Sequence, residues 1–365
     1  MQTNRRFSIR KRVSQKDKKP FGRTKIMKAN QGENPVNESF FPKNRVSDIK
    51  FFLYPDLRSQ GLREKLATYT GYTPDNIYCS NGSDEALMLL IRLCVVPGEK
   101  IIVCPPTFFK YDFYATFVRT EAITINRNSD FSLNIPKILT AITKKTKMII
   151  IDSPGNPCGA IITEKELKIL LAKDITVVVD ECYFEYCQET VADLIHTYPN
   201  LVITRTFSKW AGLAGLRVGY VLAQENIIKG LFDIRFPCYV NSVGQYFASY
   251  ALDHKQEFLK RLNSIVRFRD MAIQRLKKYS GLTIYPSKGP FVVVKLNNLG
   301  SAQELQKFLE RDRIYIYVIN QPLNQPLLEN SIRVNFSYKD EVNYFCASME
   351  RWISIQKQHP TKRRS

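Results

Sequence analysis

The stretch ITVVVDECYFEY, residues 175–186, decides the fold class of this 365-residue chain. It opens with a short, continuous run of apolar and β-branched residues that ends at Asp180. Four similar runs lie between residues 76 and 206: NIYCS (76–80), KIIVC (100–104), KMIIID (147–152) and LVITRT (201–206). Segments with helical periodicity separate these runs. The pattern predicts an α/β fold in which helices cover both faces of a mostly parallel sheet.

The pattern changes after about residue 250. Residues 254–280 form a long, charged segment with helical periodicity, and shorter strand and helix patterns follow it. These features predict a second, smaller α/β domain. The predicted divisions are a basic tail or leader (1–28), an N-terminal segment joining the small domain (29–50), a large domain (51–255), a small C-terminal domain (256–356) and a second basic tail (357–365).

The formal net charge of +20 is concentrated at the two ends of the chain. Residues 1–28 hold eleven Lys or Arg against one Asp, and residues 357–365 add four cations. The N-terminal stretch fits a targeting leader, a polycation that touches nucleic acid or acidic surfaces, or a solvated tail without function. We expect a cytoplasmic protein, with organellar targeting by the N-terminal stretch left open.

Cysteine and histidine usage argues against several classes of site. The eight Cys form no C-x-x-C pair, which disfavours a disulfide framework or a zinc site and fits reduced thiols in an intracellular protein. Three His supply few ligands for a metal. No run of about 18 uncharged apolar residues is present, so we expect no membrane span. Because His and Cys supply so few ligands, we also expect no bound metal.

Polar residues cluster at the strand ends, where sites in parallel sheets lie. In SNGSDEA (80–86), Gly82, Ser83 and Asp84 form a strand-to-helix turn. Backbone N–H groups at a helix N-terminus bind phosphate, helped by the helix dipole. Taken alone, the turn is better explained as an ordinary helix cap.

Two further strand ends carry candidate ligand groups. Asp180 ends an apolar strand, where a carboxylate needs a cation or hydrogen-bond donors, and Tyr183 follows within reach. A helix cap explains Asp180 equally well. The loop SPGNPCG (153–159) exposes the amide of Asn156, although a tight turn explains this loop when it is taken alone.

The stretch TFSKWAGLAGLRVGY (206–220) contains two cations, Lys209 and Arg217. A lysine in an apolar setting is more readily neutral, and its amine can then attack a carbonyl carbon to form an imine. Arg217 offers a planar guanidinium that suits phosphate. Taken alone, Lys209 would more often be a surface residue.

Together these groups match one ligand, pyridoxal 5′-phosphate. The turn at 82–84 suits its phosphate, Asp180 its pyridine nitrogen, a phenol and an amide its ring oxygen, and Lys209 its aldehyde. Each signal is weak alone, but their joint presence at one edge of a sheet predicts a pyridoxal-phosphate enzyme.

Over about residues 30–355 the chain resembles the fold-type I pyridoxal-phosphate-dependent aminotransferases of class I/II, and within that class the histidinol-phosphate aminotransferases. The resemblance rests on motifs in that family's order and spacing: YPD (54–56), NGSDEA (81–86), PPTFFKY (105–111), NPCG (156–159), VVDECYFEY (178–186), RTFSKWAGLAGLRVGY (205–220), PCYVNSVGQ (237–245) and IRVNFS (332–337). It implies a homodimer that moves an amino group between an amino acid or histidinol phosphate and a 2-oxo acid such as 2-oxoglutarate, in a ping-pong cycle.

The resemblance also implies roles for individual residues. Lys209 would hold the cofactor as an internal aldimine and act as general base, and Asp180 would keep the pyridine nitrogen protonated. Tyr54 would reach the neighbouring subunit's cofactor, and Arg333 would grip the substrate α-carboxylate. Asn156 and Tyr183 would bind the ring oxygen; Asn156 would also bind the substrate, and Tyr183 would join Lys209 and Asp180 as a catalytic residue. Phe108 would stack on the ring. The phosphate ligands would be Gly82, Ser83, Asp84, Thr206, Ser208 and Arg217.

One departure from the family pattern bears on the substrate. Tyr317 stands where the family has an arginine near the far end of the substrate, which weakens the case for a phosphorylated donor. An aminotransferase for an unphosphorylated, aromatic amino acid therefore stays open. A threonine-phosphate decarboxylase, a near relative of the same fold, also stays open, because PTFFKY (106–111) and the short N-terminal region leave room for it. A basic-tailed protein that binds nucleic acid or a surface is the alternative from another class, and the joint presence of Lys209, Asp180 and Arg217 argues against it.

Overall fold

A seven-stranded sheet dominates the computed structural model, which describes residues 27–30, 32–237, 239–320 and 324–358. A two-residue strand, β1 (Met27–Lys28), precedes it in the chain. The sheet strands are β2 (Ile77–Ser80), β3 (Lys100–Val103), β4 (Glu121–Thr124), β5 (Thr146–Asp152), β6 (Thr176–Asp180), β7 (Leu201–Thr206) and β8 (Gly219–Leu222). Their order is β2-β8-β7-β6-β5-β3-β4, and β8 runs antiparallel to the other six strands of this sheet. The prediction of a mostly parallel sheet is confirmed.

Both faces of this sheet are buried. In β6, Val177 and Val179 belong to the core on one face and Val178 to the core on the other, and all three are fully buried. A continuous β-branched run satisfies both faces because successive side chains of a strand alternate. One face packs against α2 (Ser83–Cys94), α3 (Tyr111–Phe117) and α6 (Glu225–Ile234). The other packs against α1 (Gln60–Thr70), α4 (Ile135–Ala141), α5 (Glu164–Leu171) and α7 (Ser242–Asp253).

A four-stranded antiparallel sheet, ordered β12-β13-β10-β9, forms the smaller second layer. Its strands are β9 (Leu282–Ile284), β10 (Phe291–Leu296), β12 (Tyr317–Val318) and β13 (Ser331–Asn335), while β11 (Ile314–Tyr315) pairs in parallel with β1. The helices after the large sheet are α8 (Lys255–Leu276), α9 (Ala302–Arg311), α10 (Gln325–Leu328) and α11 (Lys339–Gln358). Helix α8 contributes Phe258 to the core of the large sheet and Ala272 to the core of the small one, so it links the two layers.

The N-terminal segment runs from the small layer to the large one. The Ala29 amide donates to the Tyr315 carbonyl at 2.9 Å, and two 3₁₀ turns follow at Pro35–Phe40 and Lys43–Asp48. Residues 1–26 and 359–365, which include most of both predicted basic tails, lie outside the described residues. Among the helices in the described ranges, none has the length and apolarity needed to cross a bilayer. The predicted domain boundaries stay a prediction.

Candidate active site

The candidate site lies at the carboxyl ends of β5, β6 and β7. The strand register pairs Asp152 with Asp180 and Asp180 with Thr204. Three polar side chains therefore meet at one edge of the sheet, immediately before the loops that carry the other predicted residues. This is the edge at which parallel α/β sheets bind ligands.

Asp180 is buried and bound by hydroxyl groups. The Tyr111 hydroxyl donates to its Oδ2 at 2.7 Å, and the Thr204 hydroxyl donates to its Oδ1 at 3.0 Å. Burial raises the pKa of Asp180, while these donors act in the opposite direction. Within the described part of the chain, Asp180 forms no ion pair, so the site holds a carboxylate that a cationic ligand atom would complement.

The turn before α2 and the end of the 206–220 stretch meet in one cradle. Gly82 has φ 78° and ψ 164°, a conformation essentially restricted to glycine. A methyl group on Gly82 would lie 2.6 Å from Arg217 Nη2, so the guanidinium packs directly against this backbone. On Gly219, a methyl group would lie 2.6 Å from the Ser83 backbone nitrogen. The absence of side chains at these two positions keeps the cradle open.

Arg217 is held in place from two sides. Its Nη2 donates to Asp84 Oδ2 at 2.8 Å, and its Nη1 lies 3.4 Å from Ser208 Oγ. The Tyr114 hydroxyl donates to the other oxygen of Asp84. Since both carboxylate oxygens of Asp84 are engaged, its side chain positions Arg217, and its backbone N–H is the group that an anion at the start of α2 could bind. Thr206 supports the same loop, where its hydroxyl oxygen accepts from the Ser208 amide at 3.1 Å.

Lys209 follows β7 and is half-buried. Its Nζ lies 5.7 Å from the centre of the Tyr183 ring. A methyl group on Gly32 would lie 3.8 Å from this Nζ and 3.9 Å from the Tyr183 hydroxyl, so the N-terminal segment passes over both groups. The Asn34 side chain donates to the Lys209 carbonyl at 3.0 Å, which ties that segment to the lysine backbone.

Arg333 and Asn156 form the other wall of the site. Arg333 Nη1 donates to Asn156 Oδ1 at 2.6 Å, and Nη2 donates to the Asn30 carbonyl at 2.8 Å. The guanidinium carbon lies 4.7 Å from the centre of the Tyr317 ring. Arg333 is only 7% exposed, burial lowers its pKa, and its Nε has no hydrogen-bond partner in the described residues. The Nε–H of Arg333 can therefore donate a hydrogen bond to an anion.

Two predicted residues lie further out. Phe108 is half-buried, and its ring meets the ring of Tyr111 edge to face at 5.5 Å, next to Asp180. Tyr54 is 89% exposed, and no contact brings it to the other candidate residues of its own chain. Apart from Tyr54, the predicted residues gather around one sheet edge.

Residues 24–349 match the family model described as aminotransferase class I and II. The chain belongs to this family. It is a pyridoxal-phosphate-dependent aminotransferase of fold type I, which confirms the predicted family, fold class, enzyme class and cofactor.

The matching proteins show how far the similarity extends. The chain is 35% identical over 319 residues to a histidinol-phosphate aminotransferase of Dehalococcoides mccartyi, covering 87% of this chain and 88% of that protein. A solved histidinol-phosphate aminotransferase of Sinorhizobium meliloti with pyridoxal 5′-phosphate superposes with a TM-score of 0.78 at 23% identity, covering 91% and 92% of the two chains. An L-threonine-O-3-phosphate decarboxylase of Porphyromonas gingivalis superposes with a TM-score of 0.78 at 23% identity, covering 90% and 100%. Both structures share the fold.

The residues of this aminotransferase fit its cofactor chemically. Asp180 is a buried carboxylate with no cationic partner in the described part of the chain, which suits a protonated pyridine nitrogen. The cradle that a methyl group on Gly82 would fill, with the Arg217 guanidinium beside it, suits a phosphate. The amine of Lys209 lies in the same cleft, 5.7 Å from the centre of the Tyr183 ring.

Sequence reasoning missed several residues that shape the site of this aminotransferase. Asp152 receives hydrogen bonds from the Thr107 hydroxyl at 2.8 Å and from the backbone amides of Phe108 and Asn156 at 3.1 and 2.7 Å. Arg127 pairs with it at 3.0 Å. Asp152 therefore holds the loops of Phe108 and Asn156 in place together. The sequence does mark this residue, because Asp152 ends an apolar strand as Asp180 does.

Proposed function

We propose that this aminotransferase uses histidinol phosphate as amino donor and a 2-oxo acid such as 2-oxoglutarate as acceptor. The observation that carries the proposal is Arg333, a buried guanidinium beside the cleft of Lys209 whose Nε has no partner among the described residues. Such a donor suits the anionic group of either substrate, the phosphate of the donor or a carboxylate of the acceptor. The identity of 35% over 87% of the chain to a histidinol-phosphate aminotransferase supports the choice of donor.

The cofactor would be held by groups from several loops. Asp180 would face its ring nitrogen, Asn156 and Tyr183 its ring oxygen, and Phe108 its ring face, with Lys209 at its aldehyde. The phosphate would lie among Gly82, Ser83, Asp84 (through its backbone), Thr206, Ser208 and Arg217. When bound, pyridoxal phosphate supplies an electron-poor ring that takes up the electron pair left by removal of the donor's α-proton.

The chain's own groups perform the remaining work. The Lys209 amine, once free, acts as a general base and removes the α-proton of the donor. It then returns this proton at a different atom, which completes the transfer. The ionised carboxylate of Asp180 holds a proton on the nitrogen opposite to it. Arg333 orients the substrate through its anionic group, and the backbone at Gly32 covers the amine and excludes water.

An aromatic amino acid is the second candidate donor. The specific observation in its favour is Tyr317, whose ring lies against the Arg333 guanidinium at 4.7 Å where a further cation would help to bind a phosphorylated substrate. The Phe291 ring lies on the same guanidinium at 5.4 Å. Two aromatic walls at the substrate arginine suit an aromatic side chain as well as an imidazole.

A donor assay decides between these candidates. Purified protein is incubated with 2-oxoglutarate and, in separate reactions, histidinol phosphate, phenylalanine and threonine phosphate, with glutamate and carbon dioxide both measured. Glutamate formed fastest from histidinol phosphate supports the proposal. Glutamate formed fastest from phenylalanine favours the second candidate, and carbon dioxide from threonine phosphate would make the protein a decarboxylase.

Borohydride reduction tests the assignment of Lys209. We expect reduction to fix the cofactor covalently on the tryptic peptide that contains Lys209. The Lys209→Ala variant should lose this product and its activity. The matched control is Lys229→Ala, since Lys229 is an exposed lysine of α6 whose ion-pair partner among the described residues is Glu225. Label on another lysine of the wild-type protein would refute the assignment.

We also propose that the active form is a homodimer in which Tyr54 approaches the partner's site. Tyr54 lies in an exposed apolar stretch with Phe51, Phe52 and Leu53, which are 66%, 84% and 54% exposed. Such a contiguous patch suits a protein interface. Phe52→Asp should produce monomers in analytical ultracentrifugation, whereas Ile355→Asp, at a 42% exposed position of α11, should not. A wild-type monomer at micromolar concentration would refute this proposal.

The cytoplasmic location and the function of the basic tails stay predictions. Removal of residues 1–26 leaves β1 in place and should preserve activity, because no assigned group precedes Met27. Loss of activity on this truncation would show that the N-terminal stretch belongs to the enzyme unit.

A further inference from the structure

Asn324 joins the small layer to the loop that carries Phe108. Its Oδ1 accepts a hydrogen bond from the Thr107 backbone N–H at 2.9 Å, and its Nδ2 donates to the Thr107 carbonyl at 3.1 Å. The two residues are 217 positions apart in the chain and are 4% and 1% exposed. One buried carboxamide thus satisfies both backbone groups of a distant residue, as a neighbouring strand would.

Asn324 stands at a position where asparagine usually caps a helix. It precedes α10 as the N-cap residue, whose side chain commonly accepts from an N–H group of the helix. Among the described residues, its side chain forms no such cap and reaches Thr107 instead. The other end of α10 also contacts the large layer, since Leu328 is fully buried in one apolar cluster with Phe131 and Cys158. The helix is therefore held against the large layer at both ends.

The bonds of Asn324 bear on Phe108 through one peptide plane. The Thr107 carbonyl and the Phe108 N–H belong to the same planar peptide unit. Asn324 binds this unit at its carbonyl, and Asp152 Oδ2 accepts from its N–H at 3.1 Å. Asp152 ends a strand of the large sheet and Asn324 belongs to the small layer. The peptide plane from which Phe108 projects is therefore held from both layers.

The same part of the small layer also reaches Asn156. Arg333 of β13, the strand after α10, donates to the Asn156 side chain at 2.6 Å. Under the proposed assignment, Asn156 binds the ring oxygen of the cofactor and Phe108 stacks on its ring face. The contacts made by α10 and β13 therefore fix two cofactor-binding loops together.

We propose that Asn324 is a positioning residue that holds Phe108 against the cofactor ring and thereby couples the docked small layer to cofactor binding. The proposal rests on the proposed assignment of Phe108 as the stacking residue. An asparagine that only satisfies buried backbone groups would stabilise the fold without this link. The two roles differ in whether the effect of Asn324 on cofactor binding depends on the Phe108 ring.

Hydrogen–deuterium exchange of cofactor-free protein tests the hydrogen bonds. In Asn324→Ala the Thr107 N–H loses its acceptor, and its exchange should accelerate by about 2- to 10-fold, the range expected for one hydrogen bond. Asn200→Ala is the matched control, because the Asn200 side chain also binds backbone carbonyls, but at the amino end of β7, away from the site. An unchanged Thr107 rate in the folded Asn324→Ala variant would overturn the proposal.

A double-mutant cycle with Phe108 separates positioning from stability. The Kd for pyridoxal phosphate is measured by fluorescence titration for wild type, Asn324→Ala, Phe108→Ala and the double variant. Asn324→Ala should raise the Kd by about 2- to 10-fold when the Phe108 ring is present and should leave it unchanged when the ring is absent. Equal effects in both backgrounds would overturn the proposal. So would an equal rise in Asn200→Ala, which would show a general loss of stability.

Asn324→Ser provides a second variant for the case in which the alanine variant does not fold. Serine is favoured at an N-cap, so α10 should be preserved, but its side chain is too short to bind both backbone groups of Thr107. The exchange rates and the cycle with Phe108 are measured on this variant in the same way. The same results are expected, and the same results would overturn the proposal.

Two of these proteins separate the failure of this inference from the failure of the proposed function. If borohydride fixes the cofactor on Lys209 of the wild type and Phe108→Ala raises the Kd, the site assignment holds and the cycle alone decides on Asn324. If no cofactor is fixed on Lys209, or if Phe108→Ala binds it as wild type does, the assignment fails and the inference fails with it.

Discussion

Gly219 gives the sharpest test of the cradle geometry. It lies in β8 between two strands that both lead into the site, paired with Ser80 of β2 on one side and Thr206 of β7 on the other. A Cβ at this position would meet the Ser83 backbone nitrogen at 2.6 Å, the Gly82 carbonyl carbon at 2.7 Å and the Arg205 carbonyl oxygen at 3.0 Å. All three are backbone atoms, so no side-chain rotation can relieve the contact.

The Gly219→Ala variant must therefore either move the backbone of the turn at residues 82–83 or strain the backbone around it. Inserting a methyl group into a well-packed place costs about 1–3 kcal/mol. If the turn moves, cofactor binding is weakened by this energy. Since 1.4 kcal/mol corresponds to a tenfold change in Kd, the Kd for pyridoxal phosphate should rise by about 5- to 150-fold. If the turn holds, the same energy lowers the free energy of unfolding and the Tm falls.

The assay is a fluorescence titration of cofactor-free protein with pyridoxal phosphate, together with thermal unfolding of the same samples. Gly61→Ala is the matched control, because Gly61 lies in α1 and has an ordinary helical backbone conformation. A Cβ added to Gly61 would have no neighbouring atom within 4 Å. We expect the control to bind as wild type does and to be unchanged or slightly more stable, since alanine favours the helix. A Gly219→Ala protein with the Kd and Tm of the control would refute the cradle geometry.

Three further perturbations test neighbouring parts of the structure. Tyr111→Phe removes the 2.7 Å hydrogen bond to Asp180, so the pKa of Asp180 should rise and the acid limb of the pH–rate profile should move to higher pH. The kcat should fall by about tenfold or more, as expected for a hydrogen bond to a charged group. An unmoved acid limb would contradict this. Burial raises the pKa of Glu185 from 4.5 to about 8, so the folded state prefers the protonated form, and stability declines as the pH rises between these values. Glu185→Gln should remove that decline, which Tm values at pH 5 and pH 9 measure, and an equal decline in both proteins would count against it. Asn34→Ala removes the donor to the Lys209 and Trp210 carbonyls and should lower the free energy of unfolding by about 1–3 kcal/mol in denaturant titration. An unchanged free energy of unfolding would contradict this.

The central sheet and the core of the site were predictable because their signals are local. A continuous β-branched run, as at Val177–Val179, buries both faces wherever the chain places it. The acid at its end, the turn at Gly82 and the lysine after β7 each follow a strand of the same sheet. Strand ends of one parallel sheet share one edge, so local patterns sufficed to gather Asp180, Gly82 and Lys209.

The supporting residues carry no comparable local signal. Tyr111 is 69 positions from Asp180 in the chain, and Asn34 is 175 positions from Lys209, so only the folded chain joins each pair. Tyr54 poses a different difficulty. Its side chain is 89% exposed in a single chain, so its proposed role depends on a second copy, whose position a single sequence does not define.

Arg333 shows what the structure adds to a family resemblance. Judged by its strand alone, this arginine would be an ordinary exposed cation of β13. Burial of a guanidinium to 7% exposure costs several kcal/mol unless its donors are satisfied and its charge is balanced. Asn156 and the Asn30 carbonyl satisfy two of its nitrogens, but both are neutral, and Nε has no partner among the described residues. Within the described part of the chain, the charge is thus solvated by dipoles and not neutralised, and under the proposed function an anionic substrate group would supply the missing partner.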